Sequence, residues 1–256
     1  MSTFRPEVIF HLAARTFVPD ARRNPGETLG VNVMGAVNVL EAAVAMAAPP
    51  RVILVSSAEV YGIVAEDDLP VGEETPLAPA NPYAASKAAM EMAARSYESI
   101  ESIVVRPFNH TGPGQSPLFV CSDFAQQVAQ IEAGAREAVI HVGNLDAERD
   151  FCDVRDVVRA YRDLAVGGTA GAVYNVASGR SRSIRSMLDA LVDLSHVEVR
   201  VEVEENRLRP SDLPRIAGDA SRLRNDVGWE PRIPFETTLS DLLDGWRAMV
   251  AVEVQP

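Results

Sequence analysis

Tyr83 and Lys87 stand four residues apart in the stretch Asn81-Pro82-Tyr83-Ala84-Ala85-Ser86-Lys87. On a helix that spacing puts both side chains on one face. Asn81 is suited to cap such a helix and Pro82 to open it, so the pair belongs to its first turns. A tyrosine is a poor acid or base at neutral pH because its reference pKa is about 10. A neighbouring ammonium favours the phenolate, and Lys87 is expected to lower the value for Tyr83. A phenol tuned in this way passes a proton to or from a carbonyl or alcohol oxygen while a hydride moves at the same carbon. The spacing alone is weak, since Tyr and Lys fall four apart on many surface helices. Here Ser56 and Ser57 close the apolar run RVILVSS. At the carboxyl end of a strand in an open parallel sheet, where such sheets hold ligands, a serine can bond the same oxygen as Tyr83.

The elements that must position these groups alternate. VIFHLA reads as a strand and residues 27–47 as a long helix entered through Asn24-Pro25. RVILVSS is the next strand; after a Pro-rich connection, a helix begins near Tyr83 and SIVVRPF forms a third strand. Strands apolar throughout, separated by helices, predict an α/β fold with a parallel sheet covered on both faces. Val8-Ile9-Phe10 reads as a fully buried strand, although it begins within seven residues of Met1. From Gly112 the texture changes. GPGQSP is turn-rich, DFAQQVAQIEAG is helical, AVIHV is a short strand, and FETTLSDLLDGWRAM is an amphipathic C-terminal helix. VEVRVEVEE alternates apolar and charged residues and predicts an exposed edge strand. Residues 1–111 are therefore expected to carry the partial sheet and the catalytic groups. Residues 112–256 should form a smaller, mainly substrate-binding region with segments that return to the sheet.

Composition narrows the function classes. The chain has 256 residues, 47% of them hydrophobic, and a formal net charge of −12. Such an acidic balance argues against nucleic acid or an anionic membrane as the main partner. The longest apolar stretch, VNVMGAVNVLEAAVAMAA, contains Asn32, Asn38 and Glu41, as a packed helix does and a membrane span does not. Cys121 and Cys152 form no CxxC pair, no signal peptide is visible, and no His/Cys/Asp spacing points to a metal. These features predict a soluble cytoplasmic protein with reduced thiols.

HLAA, VNVMG, SSAEVYG, PYAASKAAME and RPFNHTGPGQ together resemble the extended short-chain dehydrogenase/reductases, the NAD-dependent epimerase/dehydratase family that acts on nucleotide sugars. The resemblance covers essentially the whole chain and is strongest to the GDP-mannose-related members, the 4,6-dehydratase and the reductase of GDP-4-keto-6-deoxy-mannose. It implies a Rossmann-type doubly wound sheet, a bound NAD(P), and a Ser57, Tyr83, Lys87 catalytic set. Lys87 and Tyr83 would also hold the cofactor, together with Leu12, Ala13, Ala14, Asn32, Ser56 and Pro107. Asn109, Arg149, Arg209 and Asp212 fall where the family holds a nucleotide diphosphate and its ribose, and Ser57 and Glu59 meet the sugar. Arg180, Arg182 and Arg185 are expected at the solvated surface. Members often form homodimers through a four-helix interface, here residues 27–47 and 83–97.

In this family VIFHLAA is the fourth strand, and a GxxGxxG turn after the first strand holds the pyrophosphate. The chain has no such turn; Gly167-Gly168 follows a helix rather than a strand. The expectation is an N-terminally truncated Rossmann sheet lacking roughly 60 residues, about two βαβ repeats.

The same resemblance separates two activities. Water elimination across C5 and C6 needs a base and an acid; Glu59 matches the base, but the acid position holds Ala58, which can do neither task. FNHTGPGQSPLFVCSDFAQQ is similar to the reductase version of its loop and lacks the Arg-rich dehydratase version. The balance favours NAD(P)-dependent reduction of the C4 keto group of a GDP-4-keto-6-deoxyhexose. The alternatives are a GDP-mannose 4,6-dehydratase-like lyase, or a non-catalytic sugar-nucleotide-binding protein.

Overall fold

The computed structural model describes residues 4–207 and 214–253. Strand β1 (Val8–His11) leads to helix α1 (Val18–Arg23). A continuous helical run then passes from α2 (Pro25–Leu29) through a π turn (Gly30–Met34) into α3 (Gly35–Val44). β2 (Arg51–Val55), α4 (Pro82–Ala94) and β3 (Ser102–Pro107) complete the part that carries the motifs. Beyond it come β4 (Asn109–Thr111), α5 (Val120–Glu132), β5 (Val139–Val142), β6 (Glu148–Asp153) and α6 (Val154–Gly167). The chain ends through β7 (Val173–Val176), β8 (Ser181–Ser183), α7 (Ile184–Asp193), β9 (Arg200–Val203), α8 (Ser221–Val227) and α9 (Phe235–Glu253).

The main sheet has the order β1-β2-β3-β7, and every pair in it is parallel. Its side chains alternate between two cores, as the period of a strand requires. Val52 and Leu54 pack with Ala36, Leu40 and Met90 beneath α3 and α4. Ile53, Ile103 and Val105 pack on the opposite face with Val157, Leu164 and Leu223 of α6 and α8. Helices on both faces of a parallel sheet make this a doubly wound, Rossmann-type α/β fold.

β1 departs from its expected burial. It pairs only with β2 among the described residues, so it is an edge strand, and Phe10 is 42% exposed. An apolar run specifies a strand but not its place in the sheet, and here the place decides. β9 is exposed along its whole length and pairs with β5, in line with its alternating pattern. A separate core joins α5, α7 and α9 around Phe124, Leu188, Leu242 and Trp246. β7 returns the C-terminal half to the main sheet, while β4-β6-β8 forms a small sheet beside it. Among the described residues no helix is long and apolar enough to cross a membrane.

Candidate active site

Parallel pairing brings the carboxyl ends of β1, β2, β3 and β7 to one rim. Just beyond β2 the backbone at Ser57 is extended and caps a 3-10 turn, Ala58–Tyr61, its Oγ accepting the Glu59 N–H at 3.2 Å. Gly62 ends that turn at φ +67, and a Cβ there would lie 1.8 Å from the Ala78 carbonyl oxygen, so the turn requires glycine. Across from it Asn81 opens α4. Its Oδ1 accepts from the Ala84 N–H at 2.9 Å, and its Nδ2 donates to Glu59 Oε2 at 3.0 Å. One side chain thus caps the helix of Tyr83 and tethers the Glu59 carboxylate. The Ser57 hydroxyl lies near enough to the buried Tyr83 phenol to favour its ionised form.

The expected depression of Tyr83 by Lys87 is corrected by this geometry. Burial pushes the phenol up to about 12; the Ser57 hydroxyl opposes the rise and the Glu59 charge adds to it. Lys87 Nζ donates instead to the Val55 carbonyl oxygen at 2.7 Å, and burial lowers its own pKa to about 8 against the pull of Glu91. At neutral pH the phenol is protonated and the amine carries its charge. The site therefore holds a proton donor, not a preformed phenolate.

One helical turn beyond Lys87 lies a buried ion pair that the sequence motifs did not reveal. Arg106 Nη2 contacts Glu91 Oε2 at 2.7 Å, and Arg106 Nε lies 3.0 and 3.2 Å from the two carboxylate oxygens. Both side chains are at most 2% exposed. Arg106 Nη1 also donates to the Tyr61 hydroxyl at 3.0 Å and the Glu73 carbonyl at 3.1 Å, with the guanidinium 4.9 Å from the Tyr61 ring centroid. Ser56, expected among the cofactor contacts, donates its hydroxyl to Glu91 inside this network. Consecutive residues at a strand end face opposite ways, so Ser57 meets the site and Ser56 the interior. The available signals were an arginine inside SIVVRPF and a glutamate four residues after Lys87.

At the rim beside β1, Leu12 is 58% exposed, Ala13 is exposed and Ala14 half-buried, while Pro107 is buried at the end of β3. Asn32 is fully buried in the π turn. It accepts the Arg15 N–H at 2.7 Å and donates to the Arg15 carbonyl at 3.1 Å and to Ser86 Oγ at 2.8 Å. It thereby fastens the loop after β1 to α4. His11 Nε2 is buried with no hydrogen-bond partner among the described residues; burial, then the Lys87 charge, lowers its pKa. An orphaned polar atom beside open backbone at a sheet's carboxyl rim fits part of a dinucleotide laid over Leu12–Ala14 and Lys87.

A cavity of about 790 Å³ adjoins this rim, within the span usual for small-molecule sites. Glu59 and Asn81 wall it at the end next to Ser57 and Tyr83, which do not themselves line it. Asn109 and Arg149 line it as well, the latter half-buried and donating through Nη1 to the Glu148 carbonyl at 2.9 Å. Arg209 and Asp212 lie outside the described residues. Arg207 lines the cavity and pairs with Asp123 at 2.8 Å and Glu204 at 3.1 Å. Burial raises the Asp123 carboxyl against the opposing Arg207 charge. Asp123, Arg207 and the tethering role of Asn81 were missed because their meeting depends on tertiary contacts.

Residues 1–242 match the family model described as GDP-mannose 4,6 dehydratase. GDP-6-deoxy-D-mannose reductase of Pseudomonas aeruginosa is 40% identical over 251 residues, which cover 97% of this chain and 83% of that protein. The structure of RMD from Pseudomonas aeruginosa complexed with NADPH superposes with a TM-score of 0.91 at 39% identity, covering 95% of this chain and 82% of the other. Thermus thermophilus UDP-glucose 4-epimerase in complex with NAD gives 0.84 at 27% identity, covering 96% and 79%.

Proposed function

The chain belongs to the GDP-mannose 4,6-dehydratase family, and from that premise we propose that it is an NAD(P)-dependent reductase of the C4 keto group of a GDP-linked 4-keto-6-deoxyhexose. The observation that carries this reading is the buried Tyr83 phenol beside Ser57, protonated at neutral pH. A ketone that accepts a hydride needs a proton at its oxygen. Tyr83 gives that proton, Ser57 orients and polarises the oxygen, and the Lys87 ammonium supports the phenolate left behind. When bound, the nicotinamide dinucleotide supplies the hydride. Ala58, buried and apolar beside Glu59, offers no acid for expelling a hydroxyl, which disfavours water elimination. Arg149 and Asn109 in the cavity, with Arg209 and Asp212, take the GDP diphosphate and ribose; Glu59 faces the sugar.

The same reading places the cofactor- and proton-handling groups in residues 1–111 and makes 112–256 a mainly substrate-binding region, with Ser57, Glu59 and Asn109 reaching the sugar nucleotide from the first part. It includes a cytoplasmic homodimer joined through residues 27–47 and 83–97, where Val44 and Met92 are 43% and 67% exposed.

The test is turnover of a GDP-4-keto-6-deoxyhexose with NADPH, followed by loss of the reduced cofactor's absorbance. Tyr83→Phe should lower kcat by about 10²–10⁴-fold and leave substrate binding nearly intact. A second reading, elimination with Glu59 as base, rests on the Asn81 tether that holds the carboxylate at the cavity wall. Consumption of GDP-mannose with no reduction of the keto sugar would favour it. Binding without either turnover would leave the sugar-nucleotide-binding protein.

A further inference from the structure

Two of the arginines expected at the solvated surface share one cleft there, Arg180 exposed and Arg182 half-buried. Arg180 and Arg182 line a second cleft with Arg232, of about 370 Å³, separate from the main cavity except for Phe151, which walls both. Arg185, the third, faces solvent 3.8 Å from Asp146.

The charges in the cleft do not balance. Arg182 lies with its guanidinium carbon 5.0 Å from the Phe235 ring centroid, and its Nε is buried without a hydrogen-bond partner among the described residues. Its carboxylate neighbour Glu236 is 3.7 Å away and 71% exposed. The side chains of Arg180 and Arg232 form no ion pair or hydrogen bond among the described residues; only their backbones are engaged, Arg180 with Ser178 Oγ and the Arg232 N–H with Asp156. Asp153, the other acid on the wall, is enclosed and held by Arg155 and Thr238. Elsewhere in this half of the molecule arginines such as Arg155, Arg159 and Arg247 sit directly on carboxylates. On a chain of formal net charge −12, three arginines sharing one loose carboxylate leave a local cationic pocket.

We propose that this cleft binds a small phosphate monoester, its dianion among the guanidinium groups of Arg180, Arg182 and Arg232. Guanidinium forks match phosphate oxygens in pairs, and the side chains of Arg180 and Arg232 are free to offer theirs. The organic part packs against Pro231, Pro234 and Phe235. At less than half the volume of the main cavity, the cleft suits a phosphate with one ring rather than a whole sugar nucleotide.

The test is calorimetric titration of the full chain with phenyl phosphate and with inorganic phosphate, at ionic strength fixed with sodium chloride. Phenyl phosphate should bind one site per chain, and more tightly than inorganic phosphate. Arg180→Gln/Arg232→Gln, with its melting temperature checked against the parent, should weaken phenyl phosphate on the order of tenfold or more. Arg149→Gln, which alters the main cavity, should leave that affinity unchanged. The proposal is overturned if no binding exceeds the chloride control, if the double variant binds as the parent does, or if Arg149→Gln abolishes the binding. Equal affinity for the two phosphates would overturn the apolar part of the site.

Discussion

Lys87 and Tyr83 are adjusted by burial in directions that matter for proton transfer. The Lys87 amine titrates near 8, below the ordinary lysine value, while the Tyr83 phenol titrates near 12. As pH rises through about 8 the ammonium is lost while the phenol keeps its proton, so the proposed reduction should slow there. The kcat profile is expected to show an alkaline limb near pH 8. Lys87→Arg, which cannot deprotonate, should flatten that limb in whatever activity remains. The linked stability has the opposite sense. Between about pH 8 and the unfolded lysine value of roughly 10.4, the unfolded chain binds a proton that the folded chain does not, so this group's contribution to stability rises with pH. The Glu91–Arg106 pair is a different case, since removing one partner strands a buried charge. Glu91→Gln should cost about 3–5 kcal/mol in urea unfolding, and Glu91→Leu/Arg106→Met should recover much of it. If the single variant matched the parent midpoint, the pair would not be acting as a buried ion pair.

At the scale of elements, Asn81 joins the start of α4 to the turn after β2. Asn81→Ala should lose about 1 kcal/mol with the cap. It should also lower turnover, because Glu59 is released. Asn81→Asp keeps a capping oxygen but has no donor for Glu59, so it should restore the melting temperature without restoring kcat. Recovery of both would sink the tether. The helix start at Asn81-Pro82 was legible because caps and first-turn prolines act locally, and RVILVSS was legible as a strand because its apolar run is continuous. The edge position of β1 was not legible in Val8-Ile9-Phe10 itself, which looks the same at the centre or the margin of a sheet; it followed only from the expectation of a truncated sheet. β6, with the charged sequence ERDFCD, carries no strand pattern; its pairing with β4 and β8 sets it. Ser56 and Ser57 were distinguishable only once the direction of each side chain at the end of β2 was known. Glu91 and Arg106 lie on α4 and β3, and no local pattern announces a contact between them. What sequence motifs conveyed was which groups react; what they withheld was which groups hold those in place.

For the molecule as a whole, charge works against the approach of an anionic substrate. The formal net charge is −12, and Glu59, Asp123 and Glu204 line the main cavity beside Arg149 and Arg207. A sugar nucleotide approaching from far away meets the repulsion of the whole surface before it meets either arginine. Dissolved ions weaken the distant field first, because the screening length falls from about 30 Å at 0.01 M salt to about 8 Å at 0.15 M. Encounter with GDP should therefore quicken as salt is added over that range, measured by stopped-flow mixing; a steady fall instead would mean that the cavity cations dominate even at long range. The acidic balance of the whole surface thus implies a positive kinetic salt effect, in which the protein's own fixed charge acts as a brake that physiological electrolyte releases.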